Sequence, residues 1–587
     1  MRIMNRIVKG LALCSLILLA CQSEEAGQPS KLEPGRRDVV DGIRIGWDYS
    51  SSRRIAPAND ELAGYYGYAR MIQLHDGRLA CVYESSKGNV ELVLSSDLGD
   101  TWDSPQIVFE TKDNISMAVP EIVELSNHAV LVVCNPRPRE PYSDARKFGV
   151  KVRKSTDECQ SWQAEQLIYE AQSIFENGCW EPSMVQFSNG ELQLFFANEG
   201  IYTVSGEQNI SMIKSVDFGD TWSAEPVIVG FRKDRRDGMP VPLLLEDRQE
   251  LLIAVEDNKT GEFKPSIYCE KTNNNWTDGF ISGEDSRRTY QPLSNPFGNE
   301  TYAGAPYLAR LATGEVLLSY QSTWERSNKW DLSNMVVEIG DGSGREFGSR
   351  SVPFEISTTK SCLWNSLAVI GNNTPVALTS TNAFSANSTE VWMRKGHVIS
   401  ELVIPNNTAF VDGITDDNCW SGEWPYFVGQ KSEVHLSASV CIDGEYLYMA
   451  AKVNNSDLVI DKGSGESDGI VFQIDTDRTG YEAPHFGIYA FYLGADNSLI
   501  VKEGEFGDWK EIEVGNALQK KLLINDNSYI IEMAVPLNFF NTEWNSGKKL
   551  GINFILNAHF ENGNFYQEGI TGCKFNQPFS WCPLKYN

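Results

Sequence analysis

The sequence predicts an all-β chain, a six-bladed β-propeller over residues 61–395 followed by a β-sandwich domain over 400–587. Three observations predict it. An apolar strand, a short Asp, Asn or Ser turn and a second apolar strand recur six times, at 68–85, 118–135, 180–198, 239–257, 305–322 and 363–380. The starts of these units lie 50, 62, 59, 66 and 58 residues apart, an interval that suits four-stranded blades and not helical repeats. The octapeptide S-x-D-x-G-x-T-W then falls at the same place in successive units, complete at 95–102 and 215–222, decayed at 155–162, with a fourth remnant at 271–276. Its logic is local: Ser and Asp cap the amides of a tight turn, Gly takes a positive φ, and Trp packs beneath the hairpin. From about residue 400 the repeat gives way to alternating strands such as EVHLSASVCIDGEYLYMAAKV and HFGIYAFYLGAD, ending in Trp581-Cys582-Pro583.

Ahead of the first blade, residues 1–21 have a basic start and an apolar run too short to span a bilayer, so they read as a secretory leader. Leu18-Leu19-Ala20-Cys21 resembles a bacterial lipobox, which implies cleavage before Cys21 and lipidation of its thiol. Ser23-Glu24-Glu25 resembles the acidic export tag of Bacteroidetes surface lipoproteins. The expectation is an outer-membrane lipoprotein facing the outside, or otherwise a periplasmic one, a monomer touching membrane through that anchor only. Residues 22–60 are polar and read as a tether.

A net charge of −28, or −31 once Arg2, Arg6 and Lys9 leave with the leader, repels nucleic acid and anionic lipid. It suits a neutral substrate, although the basic run Arg232 to Arg236 works locally against that inference. Of twelve cysteines, Cys14 and Cys21 belong to the leader, and the remaining ten are scattered as small core residues. Cys573 and Cys582, close together in the last loop, are the pair expected to form a disulfide. With six histidines, and none between His128 and His397, the propeller has little material for a histidine metal centre or a Ser-His-Asp triad, so neither metal nor cofactor is expected.

A propeller gathers the starts of its innermost strands and the ends of its second strands at one mouth of the axial channel. Carboxylates there come first, because glycosyl transfer needs two: one to protonate the leaving oxygen, one to attack or to activate water. Glu181, in Cys179-Trp180-Glu181-Pro182, opens the third unit, with Trp180 beside it as a sugar platform or a desolvating neighbour. Glu256 ends the second strand of the fourth unit, and Glu199 and Glu84 take the equivalent places in the third and first. A single strand-end Glu is more often a solvated loop residue.

The octapeptides resemble the Asp boxes of sialidase-like propellers. The run WEP, a strand ending in NE, QNISMIKSVDFGDTW, RDGMPVP and then VE resembles glycoside hydrolase family 93, the exo-arabinanases, which act with retention through two glutamates. That resemblance implies Glu181 as acid/base, Glu256 as nucleophile about 5 Å away, and Glu199 in reserve. Asp237 and Met239 would line the channel, with Tyr307 and Trp364 as wall residues and a carbohydrate as ligand. The order DG, D, W, then DGIVFQIDTD, after 400 resembles carbohydrate-binding module family 9, with Trp424, Trp509 and Trp581 as candidate sugar-binding aromatics. Two other readings stay open. A sialidase shares the fold, and Arg70 stands where its first arginine would, but the surrounding motif is broken and no clear arginine opens units four and five. A non-catalytic glycan-binding lipoprotein would need no carboxylate pair at all.

Overall fold

The computed structural model describes residues 33–36 and 43–587, apart from 61, 260, 372, 422–423, 432–433, 461–466, 516, 561–563 and 571–572. The leader and Cys21 lie outside the described residues. Six antiparallel sheets follow one another along the chain, and their innermost strands are Gly67–Gln73, Ile115–Glu124, Cys179–Gln186, Asp237–Leu245, Ala303–Arg310 and Cys362–Ile370. Each inner strand contacts the next, and the sixth contacts the first, which closes the ring. Apolar residues on both faces of each sheet pack against the neighbouring blades: in blade 3, Phe196 meets Tyr169 of blade 2 at 4.7 Å and Phe195, on the other face, meets Trp276 of blade 4 at 6.0 Å.

The N-terminal segment is not a tether as far as residue 60. Arg44–Trp47 and Arg53–Ala56 pair antiparallel with Glu390–Ile399, in the registers Arg44↔Ile399 and Arg53↔Met393, and complete the sixth blade. The reason is that five blades are built from consecutive strands, whereas the sheet begun at Cys362 has only three before the chain passes into the sandwich, which would leave Glu390–Ile399 with an edge of unpaired amides and carbonyls. The propeller also runs past 395. Ile399 belongs to the sandwich core, and Arg44 Nη1 donates to the Ser580 carbonyl at 3.1 Å, so the two domains meet without an intervening linker at this point.

The C-terminal part is a sandwich of two sheets. One has the order Tyr426–Lys431, Val434–Ile442, Tyr446–Asn455, Ser528–Pro536, Gln519–Asn525; the other is built around Lys549–His559 and Gly469–Asp475. Phe472, Phe491, Phe554, Met449 and Met533 fill the space between them. Trp581 is fully buried, its Nε1 donating to the Lys574 carbonyl, and is a packing residue; Trp424 and Trp509 are half-buried. Cys573 and Cys582 are adjacent but not joined: their sulfurs stand 3.6 Å apart as thiols, with Arg44 Nη1 3.4 Å from Cys573.

The Asp boxes show why the octapeptide repeats. In the first, Asp97 accepts from the Thr101 amide and hydroxyl at 2.8 and 2.6 Å, and Ser95 Oγ accepts from the Gly99 amide at 2.8 Å. The second and third repeat these bonds through Asp157 and Asp217. Two successive residues are left-handed in each, Leu98 and Gly99, Glu158 and Cys159, Phe218 and Gly219, so the decayed box holds its turn with a cysteine where glycine is the cheaper residue. At 271–276 the two left-handed residues are Asn275 (φ 47°) and Trp276 (φ 63°), the Trp276 ring turned onto Phe195. The bonds from Thr101, Ser161 and Thr221 hold all three Asp carboxyls down at about 2. Since these folded-state values lie below the unfolded one, their stabilisation is present above pH 4 and lost as pH falls toward 2. Asp97→Ala should therefore lower the thermal midpoint at pH 7 and change it little at pH 2, a comparison that calorimetry at the two pH values makes directly.

Candidate active site

Every inner strand breaks register once, near its start, and the residue in the break is left-handed: Tyr68, Val119, Glu181, Met239, Ala305 and Trp364, with φ between 49° and 54°. Such a β-bulge re-aims one side chain out of the pleat. Here the six are aimed at the propeller axis, since Tyr68, Val119, Met239, Ala305 and Trp364, from five different blades, form one packed cluster. Trp364 stacks on Tyr68 at 4.7 Å, and the half-exposed Trp330 lies 6.1 Å from Trp364. Glu181 is the one ionisable carboxyl in this ring.

A second set braces five of the six. The bulge amide of one blade donates to a side chain at the end of the preceding blade's second strand: Val119 to Glu84, Glu181 to Asn135, Ala305 to Glu256, Trp364 to Gln321 and Tyr68 to Ser380. In blade 3 the equivalent residue is Ala197, which pairs with Trp180 as Glu256 pairs with Gly238. Glu199 therefore does not correspond to Glu256. It stands two residues further along, past the axial position, since Asn198 answers to Asp257 as Ala197 answers to Glu256.

Glu181 has its side chain 18% exposed, and Arg137 Nη2 lies 3.8 Å from Oε1. Burial drives its pKa up, and Glu256 and Glu199 push the same way against Arg137 and Arg236, leaving it at about 8. Glu256 accepts the Ala305 amide on Oε2 at 3.0 Å. A Cβ on Gly238 would come within 3.2 Å of Oε1, and one on Gly304 within 2.7 Å of Oε2, so two glycines make room for this carboxyl. Its pKa too is raised by burial, which the Ala305 amide and Arg236 only partly offset. Glu84 is likewise raised by burial, with Arg137 opposing. The mouth thus carries a carboxyl protonated at neutral pH, a second one braced through a single oxygen, and two guanidiniums, Arg137 and Arg236. Sequence reasoning missed both arginines and Glu84's place beside Arg137. The available signal for Arg137 was its position two residues beyond the strand-end Asn135.

The other expected site residues are used differently. Trp180 is 5% exposed, packed on Phe148 and Phe175, with Arg137 5.0 Å over its ring and its Nε1 3.4 Å from Glu199 Oε2, so it holds the arginine and is no open sugar platform. Glu199 is buried and ion-paired to Arg236. Arg70 and Tyr307 lie two residues past their bulges, one layer further down the axis, where Glu121 takes Arg70 at 3.6 Å, the Tyr307 hydroxyl at 3.3 Å and the Ser183 hydroxyl at 3.2 Å. That buried set plugs the axis beneath the ring. Asp237 is wholly buried and shares Arg232 and Arg288 with Asp257, while the Tyr268 hydroxyl donates to it at 2.5 Å; alternation along the strand turns it away from the axis, and Gly238 and Met239 face it instead. Met239 and Trp364 do reach the axis.

Two of the six histidines meet at the far end of the inner strands. His75, Glu124 and His128 bring ligand atoms within 4.8 Å of one another, in range of a metal ion, and the His75–Glu124 hydrogen bond at 2.5 Å raises the histidine above its ordinary pKa. This cluster sits at the opposite end of blades 1 and 2 from the carboxyls.

Neither a family model nor a curated protein matches this chain. Among solved structures it is similar to the α-L-arabinanase of Penicillium chrysogenum complexed with arabinobiose, at 15% identity and a TM-score of 0.44, over 62% of this chain and 98% of that one. It is similar also to the GH93 α-L-arabinofuranosidase of Fusarium graminearum complexed with arabinobiose, at 18% identity and a TM-score of 0.44, over 60% and 97%. A carbohydrate binding module of family 9 from Caldicellulosiruptor kristjanssonii, in complex with cellotriose, is similar at 13% identity and a TM-score of 0.27, over 32% and 94%.

Proposed function

We propose that the protein is a retaining glycoside hydrolase that binds a neutral glycan at the channel mouth and acts in the manner of an exo-α-L-arabinanase. It would work as a monomer held at the outer membrane through Cys21, with the sandwich domain as a carbohydrate-binding module. The observation that carries the reading is the pairing of Glu181, a lone carboxyl among six bulge residues with its pKa pushed up to about 8, with a second raised carboxyl, Glu256, on the next blade. In the first step Glu256 attacks the anomeric carbon and the glycosidic bond breaks as Glu181 gives its proton to the leaving oxygen. In the second, Glu181 takes a proton from water, and that water displaces Glu256 from the glycosyl ester. Arg70 is engaged by Glu121 within the buried layer, which weighs against a sialidase, where arginine must be free to clamp a carboxylate.

The test is product analysis on arabino-oligosaccharides, sialosides and neutral plant oligosaccharides, followed by a pH profile on whichever is cleaved. kcat/KM should fall as pH rises through about 8, where Glu181 loses its proton. It should also fall on the acid side at a pH above the ordinary carboxylate value, where Glu256 gains one. Because the folded-state value of Glu181 lies above its unfolded one, the same group makes the fold less stable as pH rises from about 4.5 to 8. Glu181→Gln should flatten the basic limb and this loss of stability together. Release of sialic acid would move the assignment to a sialidase, and no product from any of the three classes would leave a glycan-binding protein.

A further inference from the structure

The run Phe231 to Arg236 serves two places. Its last residue, Arg236, pairs with Glu199 at the carboxylate mouth, while its earlier residues line a separate cavity of about 560 Å³ on the outer side of blade 4. The cavity adjoins the candidate active site through consecutive residues of one strand, for Glu256 faces the axis and Asp257 the cavity. Its charge is opposite to that of the protein. In a chain with a net charge of −28, five cations line it (Arg232, Lys233, Arg235, Lys259 and Arg288) against two carboxylates, Asp257 and Glu284. Arg232 and Arg288 are bound to Asp237 and Asp257 and form a fixed floor. Lys233, Arg235 and Lys259 stand exposed around it. One wall is aromatic: Phe231 lies between Tyr202, stacked at 4.8 Å, and Phe280, edge-on at 5.8 Å and 45% exposed.

We propose that this cavity is a subsite for a carboxylate-bearing sugar, the cations taking the carboxylate and the Phe280 side the apolar face of the ring. The chemistry fits each part. A guanidinium offers two parallel donors to a carboxylate, flexible ammonium groups add charge without fixing geometry, and a phenyl ring covers the C–H face of a pyranose. A cavity this size holds one or two sugar rings. Resting on the hydrolase reading for its place beside the reaction, the inference narrows the substrate class to a glycan of otherwise neutral sugars that carries a uronic acid near the bond that is cut.

Calorimetric titration of the full chain with a methyl galacturonoside and with the corresponding neutral methyl galactoside tests it. The uronide should bind at least roughly tenfold more tightly than the neutral sugar, a preference worth about 1.4 kcal/mol. Lys233→Ala/Arg235→Ala should erase that preference, and Lys259→Ala, at a separate exposed position, should reduce it. Equal binding of the two sugars by the unaltered protein, an undiminished preference in the double variant, or displacement of the uronide by an equal concentration of inorganic sulfate would each overturn the proposal. The titration reads binding without turnover. Should Glu256→Gln leave hydrolysis intact, the catalytic assignment falls while the uronide result stands on its own.

Discussion

If Glu256 is the nucleophile, Glu256→Gln should abolish turnover on every glycoside, by ~10⁴-fold or more, with no loss of folding. The structural half of this expectation is unusually well controlled, because the propeller has already placed other side chains at the same position. Gln321 sits in blade 5 where Glu256 sits in blade 4, and its amide oxygen accepts the next bulge amide, that of Trp364, at 2.7 Å. A glutamine at 256 can accept the Ala305 amide in the same way, so the thermal midpoint should stay where it is. What disappears is the proposed nucleophile, the group assigned to form the glycosyl ester. Glu181→Gln should behave differently: substrates with good leaving groups keep most of their rate, poor ones lose it, and azide accelerates the second step by replacing water as the nucleophile. Steady-state kinetics on aryl glycosides of graded leaving-group pKa separate the two. A Glu256→Gln protein with undiminished rates would remove the nucleophile assignment, and Glu84, the other braced glutamate near Arg137, would be examined next.

A chain cut at residue 395 fails to fold, although that position looked like the end of the repeat. The cut removes Gly396 to Ile399, which pair with Arg44–Trp47. Ile45 and Trp47, at 0% and 4% exposed, lose their seat between blades 5 and 6. Uncovering those two side chains costs roughly 4–6 kcal/mol, comparable with the whole stability of a typical domain. Deleting residues 43–56 should have the same consequence from the other end. A chain ending at 399 keeps the ladder and should melt cooperatively, at a lower midpoint because Ile399 loses the sandwich core. Size-exclusion chromatography and calorimetry of the three fragments decide the matter. A soluble, cooperatively melting 1–395 fragment would show that closure by the N-terminal strand is dispensable.

The blades were legible because their signal is periodic: an apolar run, a turn and an apolar run, punctuated by octapeptides whose Ser, Asp and Gly make bonds within a few residues of one another. The two strands that close the ring were not, because RIGW and RRIA are short, carry three arginines in eight residues and are paired with residues some 340 positions away. Glu181 and Glu256 could be singled out from their places at a strand start and a strand end. Their environment could not be read from the sequence. Nothing in WEP announces a left-handed glutamate, and the register breaks that create the axial ring appear only when the inner and second strands are laid side by side. The same blindness misplaced Glu199, since counting along blade 3 cannot show that Ala197 is the residue paired with Trp180 at the axial position. Arg70 and Asp237 carry the right charges at strand starts, yet each is consumed by a partner, Glu121 and the Arg232–Arg288 pair, brought in from elsewhere in the chain.

The six bulges separate the shape of the channel from its chemistry. The ladders on either side fix where each axial residue stands, and in five of the six a brace from the neighbouring blade holds its amide, so the backbone is indifferent to which side chain is presented. Tyrosine, valine, glutamate, methionine, alanine and tryptophan all occupy the position in this one molecule. A single substitution at any of the six therefore rewrites what a ligand meets while leaving the sheets untouched, at a conformational cost of about 1 kcal/mol already borne by every non-glycine residue there. Selection can in this way exchange one reaction for another, or none, a blade at a time.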